Sequence, residues 1–483
     1  LEWGPKAKPG KHGMTMRAIN VGLYGEVPEE SRDMSRRPRG AFAIPGVPAT
    51  DLYTINRKEE LWADNAVDLY EEAIQRRWAA HIDIPWDNLE PLSEEVELAM
   101  RQLCTELAQQ ASTETDVVGQ WLHRMNYAYH LDAGKFAPFL QRHCCEKLGV
   151  RHVLADVEQV VLHDDGDIAA VRTTQAGLVE GDLFVDCTGF KALLIEGAMG
   201  VPFRDCNDVL FCDTALAMQV PYAAPDSSIA SHTISTAQSA GWIWDIGIQT
   251  RRGVGHVFSS SHISDEQAER ELRAYVGPAS DGLNVRKIKI RSGHRETFWK
   301  GNCIAVGLAA GFLEPLEASA IVLIELSAKI IAEQMPACRE VMDIIASRFN
   351  ATTHYRWGRI IDFLKLHYVL TQRTDSDFWR DNVRAETMPD RLRELLHLWR
   401  YQSPWFHDEF DRAEEVFPAA SYQYVLYGMG FRTQVPPAAL ARDAHLAGRA
   451  MRENAAATAR LRAGLPRHRD LIDRIVAQGL QPV

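Results

Sequence analysis

The stretch Gly307–Ile321, GLAAGFLEPLEASAI, restricts this chain more than any other. It follows a strand-like run, Asn302–Val306, and precedes an apolar-periodic helix expected over Ile321–Met335. A strand, a Gly- and Ala-rich turn and a helix N-terminus together seat an anion or the edge of a cofactor. Glycine lets the backbone come close, and the first helical N–H groups point at whatever sits there. Ser319 is placed to cap or support that terminus. Glu314 and Glu317 stand on either side of Pro315, which stiffens the turn. The same spacing also fits a tight strand-to-helix turn with solvated carboxylates.

Two further stretches narrow the reading. Val185–Ile195, VDCTGFKALLI, closes a strand with a Gly turn. Gly241–Ile248, GWIWDIGI, reads as a strand whose alternation puts Trp242 and Trp244 on one face, either as sheet-core aromatics or as a wall between compartments. In this order the three segments resemble the flavin-dependent tryptophan halogenases. GFLEPLEASAI is similar to that family's flavin loop and active-site segment, DCTGF to its D-C-S/T-G-F segment, and GWIWDI to its W-x-W-x-I-P signature. Tyr127–Phe139, Leu366–Trp379 and Ser421–Phe431 resemble the family as well, so the likeness runs from about Tyr127 to about Arg432. It departs at Gly247, where the signature has proline, and at Ala318 and Ala320, where Ser and Gly are usual.

The resemblance implies an α/β, FAD-monooxygenase-like halogenase fold. It implies reduced FAD supplied by a separate flavin reductase, oxygen, a halide ion, and a small electron-rich aromatic substrate that is tryptophan- or indole-like. Carried over by motif, Glu317 is the acid–base or orienting carboxylate beside the substrate. The backbone N–H groups of Ser319 and Ala320 hold the halide. Gly307, Leu308, Ala309, Ala310, Gly311 and Phe312 lie along the isoalloxazine, with Asp186 and Gly189 near the cofactor. Trp242 and Trp244 part the flavin from the substrate.

Two parts of the family pattern have no counterpart. No G-x-G-x-x-G occurs in the 483 residues, so the N-terminal dinucleotide-binding unit is not recognisable. The family's lysine for hypohalous acid cannot be placed either: Lys58 lies in an unmatched helix and Lys135 in a different motif. Leu1–Pro48 reads as an extended arm, and Asp51–Ala80 with Ser93–Leu122 as a helical hairpin. The stretch from about Asp51 to Leu122 resembles half of a ferritin-like di-metal protein, without the Glu-x-x-His pairs such a site needs. Glu394-Leu395-Leu396-His397 has that spacing but stands alone, and no metal site is expected. The expected organisation is an arm with a hairpin at 1–125, a flavin/halogenase-like α/β domain at 126–335, and a helical substrate-covering region at 336–483. Uncovered sheet edges would favour a homodimer. Two alternatives stay open: an inactive fusion or remnant serving as an interaction module, and a di-iron ferritin-like oxidase.

Composition sets outer limits. A net charge of −12 speaks against a nucleic-acid partner. No long apolar run predicts a membrane span, and Leu1–Gly13 is too polar for a signal peptide, so a cytoplasmic protein is expected. The eight scattered cysteines, with no C-x-x-C pair, read as reduced thiols. His294, in the basic run Arg291–Arg295, is either a proton shuttle or an exposed turn residue.

Overall fold

A computed structural model describes residues 132–404, 416–417, 419–434 and 466–478, with a few isolated positions besides. The expected arm and almost all of the expected hairpin lie outside the described residues. Within the hairpin stretch, Trp62–Ala63 is extended and pairs antiparallel with Met125–Asn126.

Helix α1 (Ala133–Lys147) is capped by Asp132, whose carboxylate accepts the Gly134 N–H. It leads into an antiparallel meander of β1 (Val157–Leu162), β2 (Ile168–Thr173) and β3 (Gly177–Glu180). The segment His152–Leu154 between them is not a strand. Leu154 is exposed there, and the His152 ring bonds to Gln141 of α1 instead. Next come β4 (Phe184–Asp186), β5 (Phe203–Asp205), β6 (Thr214–Pro221), β7 (Ile234–Gln238), β8 (Gly241–Gly247) and β9 (Arg251–Phe258). Helix α2 (Asp265–Val276) has Ser264 as its cap. Five short strands follow: β10 (Arg286–Lys289), β11 (Gly293–Arg295), β12 (Trp299–Lys300), β13 (Cys303–Ala305) and β14 (Gly311–Phe312). The described remainder is helical: α3 (Ser319–Glu333), α4 (Arg339–Val369), α5 (Asp377–Asn382), α6 (Asp390–Leu398), α7 (Ala419–Gly428) and α8 (His468–Gln478).

The largest sheet has the order β10-β6-β9-β8-β7 and is antiparallel throughout. Trp244 sits opposite Gly255 across the β8–β9 pair. A Cβ at Gly255 would fall 2.1 Å from the indole, so only glycine lets that ring lie flat over the neighbouring strand. The one parallel pair among the described strands is β4 with β13. One apolar core runs without a break from Ile168 to Met429 and takes in both sides of the expected boundary at 335/336. Helix α4 crosses it, burying Phe349, Trp357, Ile360, Phe363 and Leu364 at helical spacing. Among the described residues no helix is long and apolar enough to cross a membrane, and no cluster of His, Cys, Asp and Glu could hold a metal ion.

Candidate active site

The parallel pair brings two distant stretches together. β4 and β13 run side by side, and the Val306 N–H donates to the Asp186 carbonyl at 3.0 Å. Past their C-terminal ends, the turn Gly189–Lys191 packs on the turn Gly307–Ala309. In open α/β sheets this end of the strands is where ligands sit. Gly189 and Gly307 have φ of +72° and +67°. A Cβ at Gly189 would meet nothing within 4 Å, and one at Gly307 only the Ile324 side chain at 3.6 Å. Phe190 and Leu308 present exposed apolar surface beside them, and Phe190 meets Phe312 edge-on at 6.0 Å. The result is a flat, apolar, backbone-lined face, which suits a planar ring system.

Asp186 shapes this face from beneath. It is fully buried, and its carboxylate accepts the Thr188 N–H and hydroxyl at 2.9 and 2.7 Å and the Leu194 and Ile195 N–H groups at 2.9 and 2.8 Å. With four donors in place, the side chain holds the turn rather than a ligand.

The Glu314–Glu317 turn is buried, contrary to the solvated alternative: Glu314 is 1% and Glu317 7% exposed. Glu317 and Ala318 both adopt left-handed backbone, with φ of +61° and +45°. Such conformations cost about 1–3 kcal/mol each in residues other than glycine and persist only where the surroundings fix them. Here Leu316 is fully buried and both carboxylates are held by α4. α3 begins at Ser319, two residues before its expected start, and Ala318 takes the capping position with no side-chain hydrogen bond. Ser319 therefore does not cap the helix. The left-handed bend sends the chain into α3 with its first N–H groups uncapped by a side chain, which is the arrangement an anion needs.

Two neighbouring residues of α4, His367 and Tyr368, hold the two carboxylates. His367 Nδ1 faces the Phe363 carbonyl at 2.8 Å, and Nε2 faces a Glu317 oxygen at 3.1 Å. The carbonyl can only accept, so Nδ1 carries a hydrogen and donates to it, and a single proton joins Nε2 to the Glu317 oxygen. Tyr368 donates its hydroxyl to Glu314 Oε2 at 2.6 Å, and Trp242 Nε1 donates to the same oxygen at 3.3 Å. One loop carboxylate thus fixes the Trp242 indole, while Trp244 meets that indole at 6.4 Å between centroids. Burial pushes the Glu314 carboxyl up, against the hydrogen bonds from Tyr368 and Trp242.

Lys365 completes the cluster. It is fully buried, donates to Asn382 Oδ1 at 2.8 Å and stands 4.7 Å over the Phe211 ring. Burial pushes its ammonium down to about 7, with Glu314 opposing the shift. The folded state therefore binds fewer protons than the unfolded state between about pH 7 and the ordinary lysine value of 10.5. Stability rises with pH across that window as the burial penalty is relieved. We expect Lys365→Met to abolish that rise. Urea unfolding at pH 7, 8.5 and 10 checks it, and an unchanged slope in the variant would mean Lys365 titrates normally.

One other expectation resolves differently. His294 is neither exposed nor in a turn: it lies in β11, 5% exposed, against Phe298, His354 and Trp357. β11 needs its apolar neighbours because it is the middle strand of the β14-β11-β5 sheet. Phe378 and Trp379 are core residues, and Phe431 lines a cleft near the end of α4. The described cysteines are unpaired. Sequence reasoning passed over Lys365, His367 and Tyr368. A lysine and a histidine inside the otherwise apolar run Phe363–Val369 were the available signal, since buried polar groups persist only with partners.

A mixed α/β protein in which glycine turns and a buried carboxylate loop meet beside paired tryptophans matches known flavin-dependent halogenase structures. The chain belongs to the tryptophan halogenase family, whose model matches residues 72–444. That match begins some way before Tyr127 and takes in most of the stretch read as a ferritin-like hairpin, which leaves that reading without support. A tryptophan halogenase structure from Shewanella frigidimarina is 46% identical, with a TM-score of 0.73, and the alignment covers 78% of this chain and 73% of that one. A tryptophan C-6 flavin-dependent halogenase (chlorinase) from taromycin biosynthesis is 34% identical, with a TM-score of 0.70 over 74% and 71% of the two chains. The 7-chloro-L-tryptophan 6-halogenase KtzR of Kutzneria is 37% identical over 72% of this chain and 67% of its own length. The chain spans only 60% of the tryptophan 6-halogenase SttH of Streptomyces toxytricini, at 38% identity.

Proposed function

We propose that the chain halogenates the indole ring of tryptophan or a closely related substrate, using reduced FAD from a separate reductase. The observation that carries this reading is the buried, strained Glu317 held by His367 at the uncapped start of α3, next to the glycine turns of β4 and β13.

The residues present fit part of the cofactor. The open face at Gly189, Phe190, Gly307 and Leu308, with Phe312 at its edge and Ala309, Ala310 and Gly311 buried behind it, suits the isoalloxazine, and the N–H groups of Ser319 and Ala320 suit a halide. The pyrophosphate half has no glycine fingerprint in this sequence. When bound, reduced FAD with oxygen supplies the oxidising power that turns halide into hypohalous acid. The chain does the rest. The Trp242–Trp244 pair, braced by Glu314, keeps the organic substrate off the cofactor face. Hypohalous acid gives its halogen to a ring carbon, and the ring C–H proton leaves with the hydroxyl as water. Glu317 stabilises the cationic ring and takes up that proton in transit. His367 fixes which Glu317 oxygen faces the substrate.

The test is the full chain with FAD, a flavin reductase, NADH, bromide or chloride, and tryptophan, read by mass spectrometry. Mono-halogenated tryptophan is expected. Its absence, together with no saturable FAD binding, would favour the alternative of an inactive chain.

A further inference from the structure

We propose that Tyr368 is a positioning residue: it keeps the Glu314 carboxylate on the Trp242 indole, against the pull of Lys365, and so holds the partition between cofactor face and substrate closed. The link to halogenation rests on the reading above. The contacts themselves belong to the chain alone.

Trp242 is the part of the partition that needs holding. It is 2% exposed, and a buried indole N–H without an acceptor is costly. Its N–H donates to Glu314 Oε2 at 3.3 Å, which is a long contact. Glu314 Oε1 is buried and has no hydrogen-bond partner. The carboxylate is therefore oriented by one short bond, from the Tyr368 hydroxyl at 2.6 Å. Tyr368 is 1% exposed, edge-on to Phe378 at 5.9 Å and 6.1 Å from Trp379, so its hydroxyl cannot swing away.

Lys365 is the competitor. It precedes Tyr368 by three residues on α4, which puts the two on neighbouring turns of one face. Its ammonium attracts the Glu314 carboxylate. Asn382 Oδ1 holds the lysine at 2.8 Å, and Tyr368 holds the carboxylate. Without the phenol hydroxyl, Glu314 keeps one long contact to Trp242 while a cation stands in the same buried cluster. A bond between two charged groups is stronger than one to a neutral indole N–H. The carboxylate then turns, and Trp242 loses its acceptor. His367 and Tyr368 thus divide the work of one stretch of helix: His367 serves Glu317, and Tyr368 serves the wall.

Indole N–H exchange followed by NMR on the full chain tests this, at about pH 6, where Lys365 is mostly charged. The Trp242 signal is assigned with Trp242→Phe. Tyr368→Phe keeps the ring and removes only the hydroxyl. Exchange at Trp242 Nε1 should speed up at least about tenfold, the worth of one lost bond to a charged acceptor. Trp379 Nε1 donates to the Gln238 carbonyl and packs on the same tyrosine ring, so it is the internal control and should hold its rate. Adding Lys365→Met should restore most of the Trp242 protection. A merely structural role of Tyr368 would loosen Trp379 as well and would gain nothing from Lys365→Met. With reductase, halide and tryptophan, Tyr368→Phe should lower halogenated product per NADH severalfold and leave KM for tryptophan within about twofold. Unchanged Trp242 exchange in Tyr368→Phe, equal speeding at Trp379, or no rescue by Lys365→Met would overturn the assignment, whether or not the chain halogenates. Faster Trp242 exchange with unchanged product per NADH would overturn the link to the reaction. A chain that shows the exchange pattern but never halogenates keeps the Tyr368 lock and loses the halogenase reading.

Discussion

Replacing Glu317 by Gln is expected to lower the halogenation rate about 100-fold or more, the usual worth of a positioned acid–base group. The amide keeps the size of the side chain but cannot take the ring proton or carry charge beside a cationic ring. His367→Gln should lower the rate in the same direction, because Nε2 reaches Glu317 at 3.1 Å while Nδ1, bonded to the Phe363 carbonyl, locks the ring. The two effects should not add: once one partner is gone, losing the other costs little more. Steady-state rates for the two single variants and the double variant decide the matter. Additive losses would mean the two groups act separately, and a Glu317→Gln variant retaining much of the rate would remove the carboxylate from the chemistry. KM for tryptophan should move much less than kcat, since neither group is placed to grip the substrate's side chain.

The second large effect is on folding. Asp186→Ala leaves two buried backbone N–H groups, the half-buried Thr188 N–H and the Thr188 hydroxyl without the acceptor that now satisfies them. Hydrogen bonds to a charged acceptor are worth about 1.5–3 kcal/mol each, so a loss of at least about 3 kcal/mol is expected. Because those bonds form the turn that carries Gly189 and Phe190, FAD affinity should fall with stability. Asp186→Asn keeps some of the acceptors and should lose less of both. Urea unfolding and FAD fluorescence titration measure the two quantities. A stable Ala variant with unchanged FAD binding would contradict the bracing role.

Much of the framework around the candidate site was legible in the chain order alone. Gly307–Ile321 carried its strand, glycine turn and helix, and the structure has all three, with the helix starting two residues early at Ser319. The shift has a cause: left-handed Glu317 and Ala318 make the bend that the sequence pattern assigned to Ser319 as a cap. The strand around Trp242 and Trp244 was legible through its alternation. His294 was misread because a run of Arg, Ser, Gly, His and Arg looks like a solvated turn, whereas β14 and β5 pair with it on both sides. Nothing local in Arg291–Arg295 announces those partners.

Local chemistry determined which residues could make turns, which could bend without a Cβ, and which acids stood near a helix start. Steric rules and hydrogen-bonding capacity act over a few residues, so a sequence carries them directly. Only the tertiary structure decided which groups the acids would meet. Asp186 lies beside Val306, Glu314 beside Tyr368 and Trp242, and Glu317 beside His367, across separations of 50 residues or more. Those pairings follow from packing α4 over the loop and closing the sheets, and burial then fixes the charge and orientation of each carboxylate in ways that spacing along the chain cannot encode.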